Sequence, residues 1–387
     1  MYSILYSMIL IHYGEIGLKG KNRKMFEDVL VKNIRKILKD EIENIRREYG
    51  RIILEEREGV DYKKIKEKLE KMPGIENFSF TIPLPLDLEE IKSKALEIAE
   101  KKQFSSFKVY AKRSNKRFPF SSIEINEIIG KEIKEKLSKK VDLRNPELTI
   151  FIEIGNKNAY IYTEKYKGIG GLPAGSQGKV IALISGGIDS PVASWLMMKR
   201  GCKVIFLHFY NENLVAYPRK VEEIVKKLAE YQGETKIYMV PFGEGQSEII
   251  KSIPSRYRMI LYRRFMIKVA NEISRKEKAK AIVTGDSMGQ VASQTLENLQ
   301  CIYDASAFPI FSPLIGMDKR EIIEIAKKLG TYDISIKPME DCCSFMIAKH
   351  PVTKAKLDRV KEMEKNIRDQ LIDKLIKKSF EIKCTKN

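Results

Sequence analysis

Val180-Ile181-Ala182-Leu183-Ile184-Ser185-Gly186-Gly187-Ile188-Asp189-Ser190-Pro191-Val192-Ala193 decides the fold. Five apolar residues in a row read as a strand buried on both faces, which belongs in a parallel sheet. Two glycines then let the backbone turn tightly and aim successive N–H groups inward as an anion nest. Ser190 is the expected N-cap, Pro191 the first helical residue and Gly201 the closing residue of a helix whose positive end faces the loop. A phosphate is the natural guest of that arrangement. The string is neither G-x-x-x-x-G-K-[ST] nor G-x-G-x-x-G. Downstream, strands at 203–209, 236–241 and 281–284 alternate with helices at 218–231, 257–274 and 319–329. The fold class this implies is α/β, a doubly wound parallel sheet with its ligand at the carboxyl ends of the strands.

Upstream the order changes. Residues 1–60 read as a small α+β unit: an apolar first strand, a helix over 24–38, and two strands joined through Gly50. Residues 61–166 mix helices and strands in a second α+β unit, and 167–178 form a Gly-rich linker. Residues 179–387 then hold the parallel sheet and, from Thr353 on, a Lys-rich helical extension. The apolar N-terminus lacks a basic flank, a cleavage site and the length to span a bilayer, so a cytoplasmic protein without membrane attachment is expected.

Of the 387 residues, 71 are Lys or Arg and 52 Asp or Glu, a formal charge of +19. Such an excess suits a polyanion, nucleic acid above all, although a solvated Lys/Glu-rich surface has the same composition. Five cysteines with no C-x-x-C pair give little support to structural zinc or an iron–sulfur cluster.

Candidate site residues gather around the loop. Ser185, Gly186, Gly187 and Ser190 are phosphate contacts; Asp189 caps or turns the loop, or takes the magnesium- and phosphate-orienting role that the family resemblance given below implies. His208 ends the next strand where an adenine would rest. In Thr284-Gly285-Asp286-Ser287 through Gln294-Thr295, Gly285 permits close approach of the backbone to a ligand and the Gln294 amide suits a base edge. Arg263 is solvated charge or a phosphate ligand. Asp318 and Glu321 are explained as a capping box, which leaves Lys319 able to reach a phosphate. Cys342 and Cys343 are either small buried hydrophobes or a thiol pair in basic surroundings that favour thiolate.

The string S-G-G-x-D-S resembles the pyrophosphate-binding loop of the ATP pyrophosphatase (PP-loop) superfamily. With His12-Tyr13-Gly14-Glu15-Ile16-Gly17-Leu18-Lys19-Gly20-Lys21-Asn22-Arg23, Gly170-Gly171-Leu172-Pro173 and Thr284 through Gln294, the chain resembles the tRNA 4-thiouridine synthetases, the tRNA sulfurtransferases. That resemblance implies ferredoxin-like and THUMP domains ahead of a PP-loop catalytic domain. It implies that ATP, with Mg2+, adenylates O4 of the uridine at position eight of tRNA and that a persulfide sulfur displaces AMP. It carries the functional Asp to Asp189, the Lys to Lys319, the catalytic Cys to Cys343, and nucleotide contacts to Leu183, Ile184, His208, Phe209, Arg263, Gly285 and Gln294. The chain departs from members with a rhodanese domain and from those with a C-x-x-C, since the corresponding stretch is Met259–Arg264; no iron–sulfur cluster is expected. Sulfur then comes from a separate donor, a cysteine desulfurase or free sulfide, with Cys342, Cys202 or Cys384 as a second thiol. A sulfur carrier protein of the thiamine thiazole pathway and a second copy of the chain are further partners it brings into view. Lys19, Lys21, Arg23 and Lys24, with Lys112, Arg113, Lys116 and Arg117, are the basic arms open to tRNA phosphates.

Overall fold

The computed structural model describes residues 7–214, 217–338, 348–368 and 370–384, and the chain divides into two units, Met1–Gly171 and Leu172–Asn387. In the first, the apolar start becomes strand β1 (Met8–His12), with Ile9, Leu10 and Ile11 fully buried. Helix α1 (Arg23–Ile37) follows, then the hairpin β2 (Ile42–Glu48) and β3 (Arg51–Glu56), whose turn residue Gly50 has φ +80°. After α2 (Tyr62–Glu70) come β4 (Asn77–Leu84), α3 (Leu88–Glu100), β5 (Ser106–Arg113), α4 (Ser122–Leu137), β6 (Lys140–Val141), β7 (Leu148–Ile154), β8 (Ala159–Tyr162) and β9 (Tyr166–Lys167). The strands join one sheet in the order β2-β3-β1-β4-β8-β7-β5-β6, with β9 beside β4. Strand β4 makes this continuity: Asn77–Thr81 pair with β1 and Ile82–Leu84 with β8.

Glu56, at the end of β3, gives this unit a pH dependence. Burial pushes its carboxyl up to about 7, against a smaller opposing pull from Tyr62. Because the folded value lies above the unfolded one, the group costs nothing at low pH and destabilises progressively as pH rises through that window. Glu56→Gln is therefore expected to raise the melting temperature at pH 8, by roughly 2–6 °C once partial solvent exposure is allowed for. Near the ordinary carboxylate range the same change should leave melting unchanged; paired melts at the two pH values check this.

The second unit is built on β10 (Lys179–Leu183), α5 (Asp189–Lys199), β11 (Lys203–Tyr210), α6 (Arg219–Gln232), β12 (Thr235–Pro241), α7 (Gly243–Ser252), α8 (Arg258–Glu277), β13 (Ala281–Val283), α9 (Leu296–Tyr303), β14 (Ile310–Phe311), α10 (Lys319–Leu329), α11 (Tyr332–Ser335), α12 (Leu357–Glu364), α13 (Gln370–Lys378) and β15 (Phe380–Cys384). Its six-stranded sheet runs β14-β13-β10-β11-β12-β15, parallel except for β15. The first strand, β10, lies mid-sheet; the chain builds outward through β11 and β12 and then crosses to β13 and β14. The strand order therefore reverses between β10 and β13, and a crevice opens there. Ile181, Leu207, Phe242 and Tyr262 sit in the core beneath it.

One feature departs from the sequence expectation. The Lys-rich end is not wholly helical: β15 pairs antiparallel with β12 from Thr235↔Cys384 to Met239↔Phe380, and Cys384 is fully buried. Buried Arg264 fixes α12, donating to Glu364 Oε2 at 2.9 Å and to Asp304 at 3.2 Å. Among the described residues no helix is long and apolar enough to cross a membrane.

Candidate active site and family

The turn after β10 differs in detail from a glycine nest. Neither Gly186 nor Gly187 takes a left-handed φ, and α5 begins at Asp189 with Ile188 in the cap position. Ser190 is thus not the N-cap: it sits inside the first turn, and its Oγ accepts the Ser185 N–H at 2.8 Å across the loop. The serine closes the loop on itself instead of capping the helix, because the orphan donor nearest its hydroxyl belongs to Ser185. Pro191 falls in the same first turn, where its missing N–H is harmless. Gly201 closes α5 at φ +87°, as its position suggested.

Around the ends of β10, β11 and β13 lies a cavity of about 310 Å³. Of the residues singled out in the sequence, Leu183, Ile184, Ser185, Gly186, Asp189, Ser190, His208, Phe209, Arg263, Gly285 and Gln294 line it. Gly187 does not; its N–H donates to Ser185 Oγ at 3.3 Å and its carbonyl accepts from Ser335 Oγ at 3.2 Å. Lys319 stands outside the lining but places Nζ 2.6 Å from Asp189 Oδ1, while Gln290 Nε2 donates to Asp189 Oδ2 at 3.0 Å. Asp189 is therefore held between an ammonium and an amide at the positive end of α5. Cys342 and Cys343 lie outside the described residues.

His208 is buried with Nδ1 2.8 Å from the Ile184 carbonyl. A carbonyl only accepts, so Nδ1 carries the proton, and the ring ties β11 to the loop. Gly285 brings β13 against α5: a Cβ there would stand 2.8 Å from Ser190 N and 2.9 Å from its Cα. Several lining residues escaped the sequence reading, among them Asn211, Leu214, Pro218, Met259, Met266, Thr284, Asp286 and Ser293. Helical spacing would have found two: Met259 and Met266 flank Arg263 at four and three residues, on one face of α8. Asp286 accepts from Arg263, Gln294 and Tyr303 and is 3% exposed.

Burial holds back the described thiols. Cys202, Cys301 and Cys384 are all buried; burial pushes Cys202 and Cys301 up, and pushes Cys384, beside Glu222, up to about 11.

The first unit carries a second cavity, of about 270 Å³, lined by His12, Tyr13, Gly50, Asn77, Tyr110, Lys112, Phe151, Glu153, Tyr162 and Lys165. Phe151 stacks on Tyr162 with centroids 5.0 Å apart, and Tyr110 meets Phe151 edge-on at 5.9 Å. Of the basic residues expected at tRNA, Lys21, Lys24, Lys112, Lys116 and Arg117 are exposed. Lys19 lies over the Phe26 ring. Arg23 donates to the Gly17 carbonyl, and Arg113 to those of Phe118 and Phe120, so both hold loops in shape.

The sequence family described as thiamine biosynthesis protein (ThiI) matches residues 175–368, the ThiI ferredoxin-like domain residues 8–79 and the THUMP domain residues 86–164. A probable tRNA sulfurtransferase of Caldanaerobacter subterraneus subsp. tengcongensis is 43% identical over 93% of this chain and 95% of its own. The chain belongs to the ThiI, or tRNA sulfurtransferase, family. A probable tRNA sulfurtransferase of Methanocaldococcus jannaschii is likewise 43% identical, over 93% of this chain and 97% of its own. Among solved structures, a 4-thiouridine synthetase–RNA complex with bound ATP matches this ThiI-family chain with TM-score 0.89 and 36% identity, covering 98% of this chain and all of the other. PH1313 from Pyrococcus horikoshii matches with TM-score 0.67 at 27% identity, over 84% and 99%.

Proposed function

We propose that this chain is a cytoplasmic, ATP-dependent tRNA sulfurtransferase that converts the uridine at position eight to 4-thiouridine. The observation that carries the reading is the cavity at the strand-order reversal, where the Ser185–Ser190 loop, the start of α5 and Arg263 converge. On this reading the triphosphate lies against the loop and Arg263, and the base sits toward His208 and Phe209. Uridine O4 attacks the α-phosphorus, the bond to pyrophosphate breaks, and the loop N–H groups and Arg263 offset the departing charge. The outer sulfur of a persulfide then attacks C4 and AMP leaves; a second thiol attacks the inner sulfur, the S–S bond breaks with the outer sulfur staying on C4, and a disulfide is left behind.

Among the described residues no three His, Cys, Asp or Glu side chains form a metal cage. Magnesium characteristically takes one or two carboxylates plus phosphate oxygens, and Asp189 is the carboxylate available at the loop. When bound, it would neutralise phosphate charge.

Cys343 is the residue we assign to sulfur delivery: its thiolate attacks the outer sulfur of a cysteine desulfurase persulfide, the desulfurase thiolate leaving, or it resolves the disulfide intermediate left on C4; free sulfide, as donor, attacks C4 directly. The burial of Cys202 and Cys384 favours Cys342 or a thiol of the donor as its partner. Sulfur passed to a carrier of the thiamine thiazole pathway is a second output, in keeping with the family's description. In the first unit, the stacked rings beside Lys112 and Lys165 suit unpaired nucleotides and backbone phosphate of tRNA.

Nucleoside mass spectrometry of tRNA incubated with the protein, ATP, magnesium and a persulfide or sulfide source tests this reading. With the persulfide source, 4-thiouridine is expected with the wild type and absent with Cys343→Ser; thiolation by Cys343→Ser from that source would return that cysteine to a structural role. Gly285→Ala probes the cavity itself. The added Cβ meets backbone that cannot yield, so β13 must move off α5, and ATP affinity is expected to fall at least about tenfold, as read by equilibrium titration.

A further inference from the structure

Arg263 and Gln294 reach the cavity from different elements, α8 and the turn before α9, and one buried side chain touches both. Asp286 Oδ1 accepts from Arg263 Nη2 at 2.7 Å and from Gln294 Nε2 at 3.1 Å, and Oδ2 accepts from Arg263 Nη2 at 2.6 Å and the Tyr303 hydroxyl at 2.8 Å. We propose that Asp286 is the positioning residue of this cavity: one carboxylate fixes the direction of the Arg263 guanidinium and of the Gln294 carboxamide, and through them sets the affinity for ATP. The inference rests on the ATP reading of the cavity and deepens it.

Three observations bear it out. Arg263 makes its ion pair through Nη2 alone, and Nη1 and Nε have no hydrogen bond among the described residues. The guanidinium is thus anchored at one corner with its remaining N–H groups unengaged beside the cavity, a suitable pose for a phosphate. Second, an ionised carboxylate only accepts, so Gln294 must turn its nitrogen to Asp286 and its oxygen away. That Oε1 is buried without a hydrogen-bond partner among the described residues, in a side chain 8% exposed that lines the cavity. A buried acceptor of this kind is unfavourable unless something donates to it, and a donor on the nucleotide would do so. Third, Asp286 is itself braced. Tyr303 also bonds Ser312 Oγ at 2.6 Å, and Ser312 bonds Thr284 Oγ1 at 2.9 Å, so the carboxylate cannot follow Arg263 outward. Burial opposes ionisation of Asp286, but the Arg263 charge and the bonds from Arg263 and Tyr303 outweigh it and hold the carboxyl below its usual range. The group therefore stays charged at any pH where the enzyme works.

ATP titration of the full chain by calorimetry, with melting curves to establish folding, tests the assignment in a double-mutant cycle. Asp286→Asn and Arg263→Gln are each expected to weaken ATP binding about thirtyfold, the effect of breaking a buried charge pair. The double variant should bind within about threefold of the weaker single, because both changes remove the same interaction. Asp286→Glu, which restores the charge, should recover most of the loss. Unchanged affinity in Asp286→Asn overturns the inference, and so do losses that multiply in the double variant, since a purely structural aspartate would act independently of Arg263. Should Asp286→Asn fail to fold, Tyr303→Phe removes one donor from Asp286 at a residue that does not line the cavity. An affinity loss of about three- to tenfold is expected there, and wild-type affinity counts against the assignment. A wild type that binds no ATP removes the ATP reading itself, an outcome distinct from a wild type that binds and variants that bind equally well.

Discussion

Asp189→Asn is expected to lower 4-thiouridine formation by about 10²–10³-fold, the usual consequence of misplacing one cation preorganised at the negative charge that develops in the transition state. The carboxylate sits in the first turn of α5 and takes Lys319 Nζ at 2.6 Å and Gln290 Nε2 at 3.0 Å. The amide keeps the shape and one acceptor oxygen but removes the negative charge that holds the Lys319 ammonium, and with it the Ser185–Ser190 loop loses its only lining carboxylate among the described residues. Stability should barely change. The Asp189 and Lys319 side chains are 22% and 41% exposed, and pairs this exposed contribute ~0–1 kcal/mol. Single-turnover thiolation assays beside melting curves separate the two effects. A variant that melts normally and thiolates normally would return Asp189 to the loop-turning role.

The largest effect on stability is expected in the first unit, at Glu153. This carboxylate is buried on β7 and accepts from His12 Nε2 at 3.1 Å, Arg51 Nη1 at 2.9 Å and the Tyr162 hydroxyl at 2.8 Å. Burial opposes its ionisation, yet the bond and charge of His12 and the charge of Arg51 hold it down to about 2. Glu153→Gln leaves Arg51, 4% exposed, with Glu48 at 3.7 Å as its remaining carboxylate contact among the described residues, and a buried charge stripped of its partner costs ~3–5 kcal/mol. The unit's melting transition should fall accordingly. The sign of the pH dependence follows: a depressed folded value stabilises above the ordinary carboxylate range, and that stability is lost as pH falls through it toward 2. The wild-type unit should therefore lose stability in acid more steeply than Glu153→Gln. Equal melting of the two at neutral pH would contradict the assignment of Glu153 as the pin between β1, β3 and β7.

How far the sequence could be read depends on whether a residue's role is local. The strand, loop and helix from Val180 to Lys199 are written in consecutive residues, and they emerged with boundaries a residue or two off. Ser190 was the right kind of residue in the wrong role, because the choice between capping a helix and closing a loop depends on where Ser185 N–H points. Strand β15 was missed since Phe380–Cys384 carries Glu381 and Lys383 and becomes a strand only beside β12. Asp286 stood in a quoted stretch without being singled out; its importance comes from Arg263 and Tyr303, distant in sequence and adjacent only after folding. Arg23 and Arg113 looked like free cations although the carbonyls they bind lie only five to seven residues away, because no side-chain pattern marks a loop that folds its backbone onto a guanidinium.

The central claim is that ATP in this cavity activates the uridine oxygen. A tRNA carrying a heavy-oxygen label at O4 of the uridine at position eight tests it most directly, by mass spectrometry of the AMP released during thiolation. Adenylation at O4 predicts that each 4-thiouridine formed is matched by one AMP bearing the label. Unlabelled AMP, with the heavy oxygen recovered in water or phosphate, would contradict it.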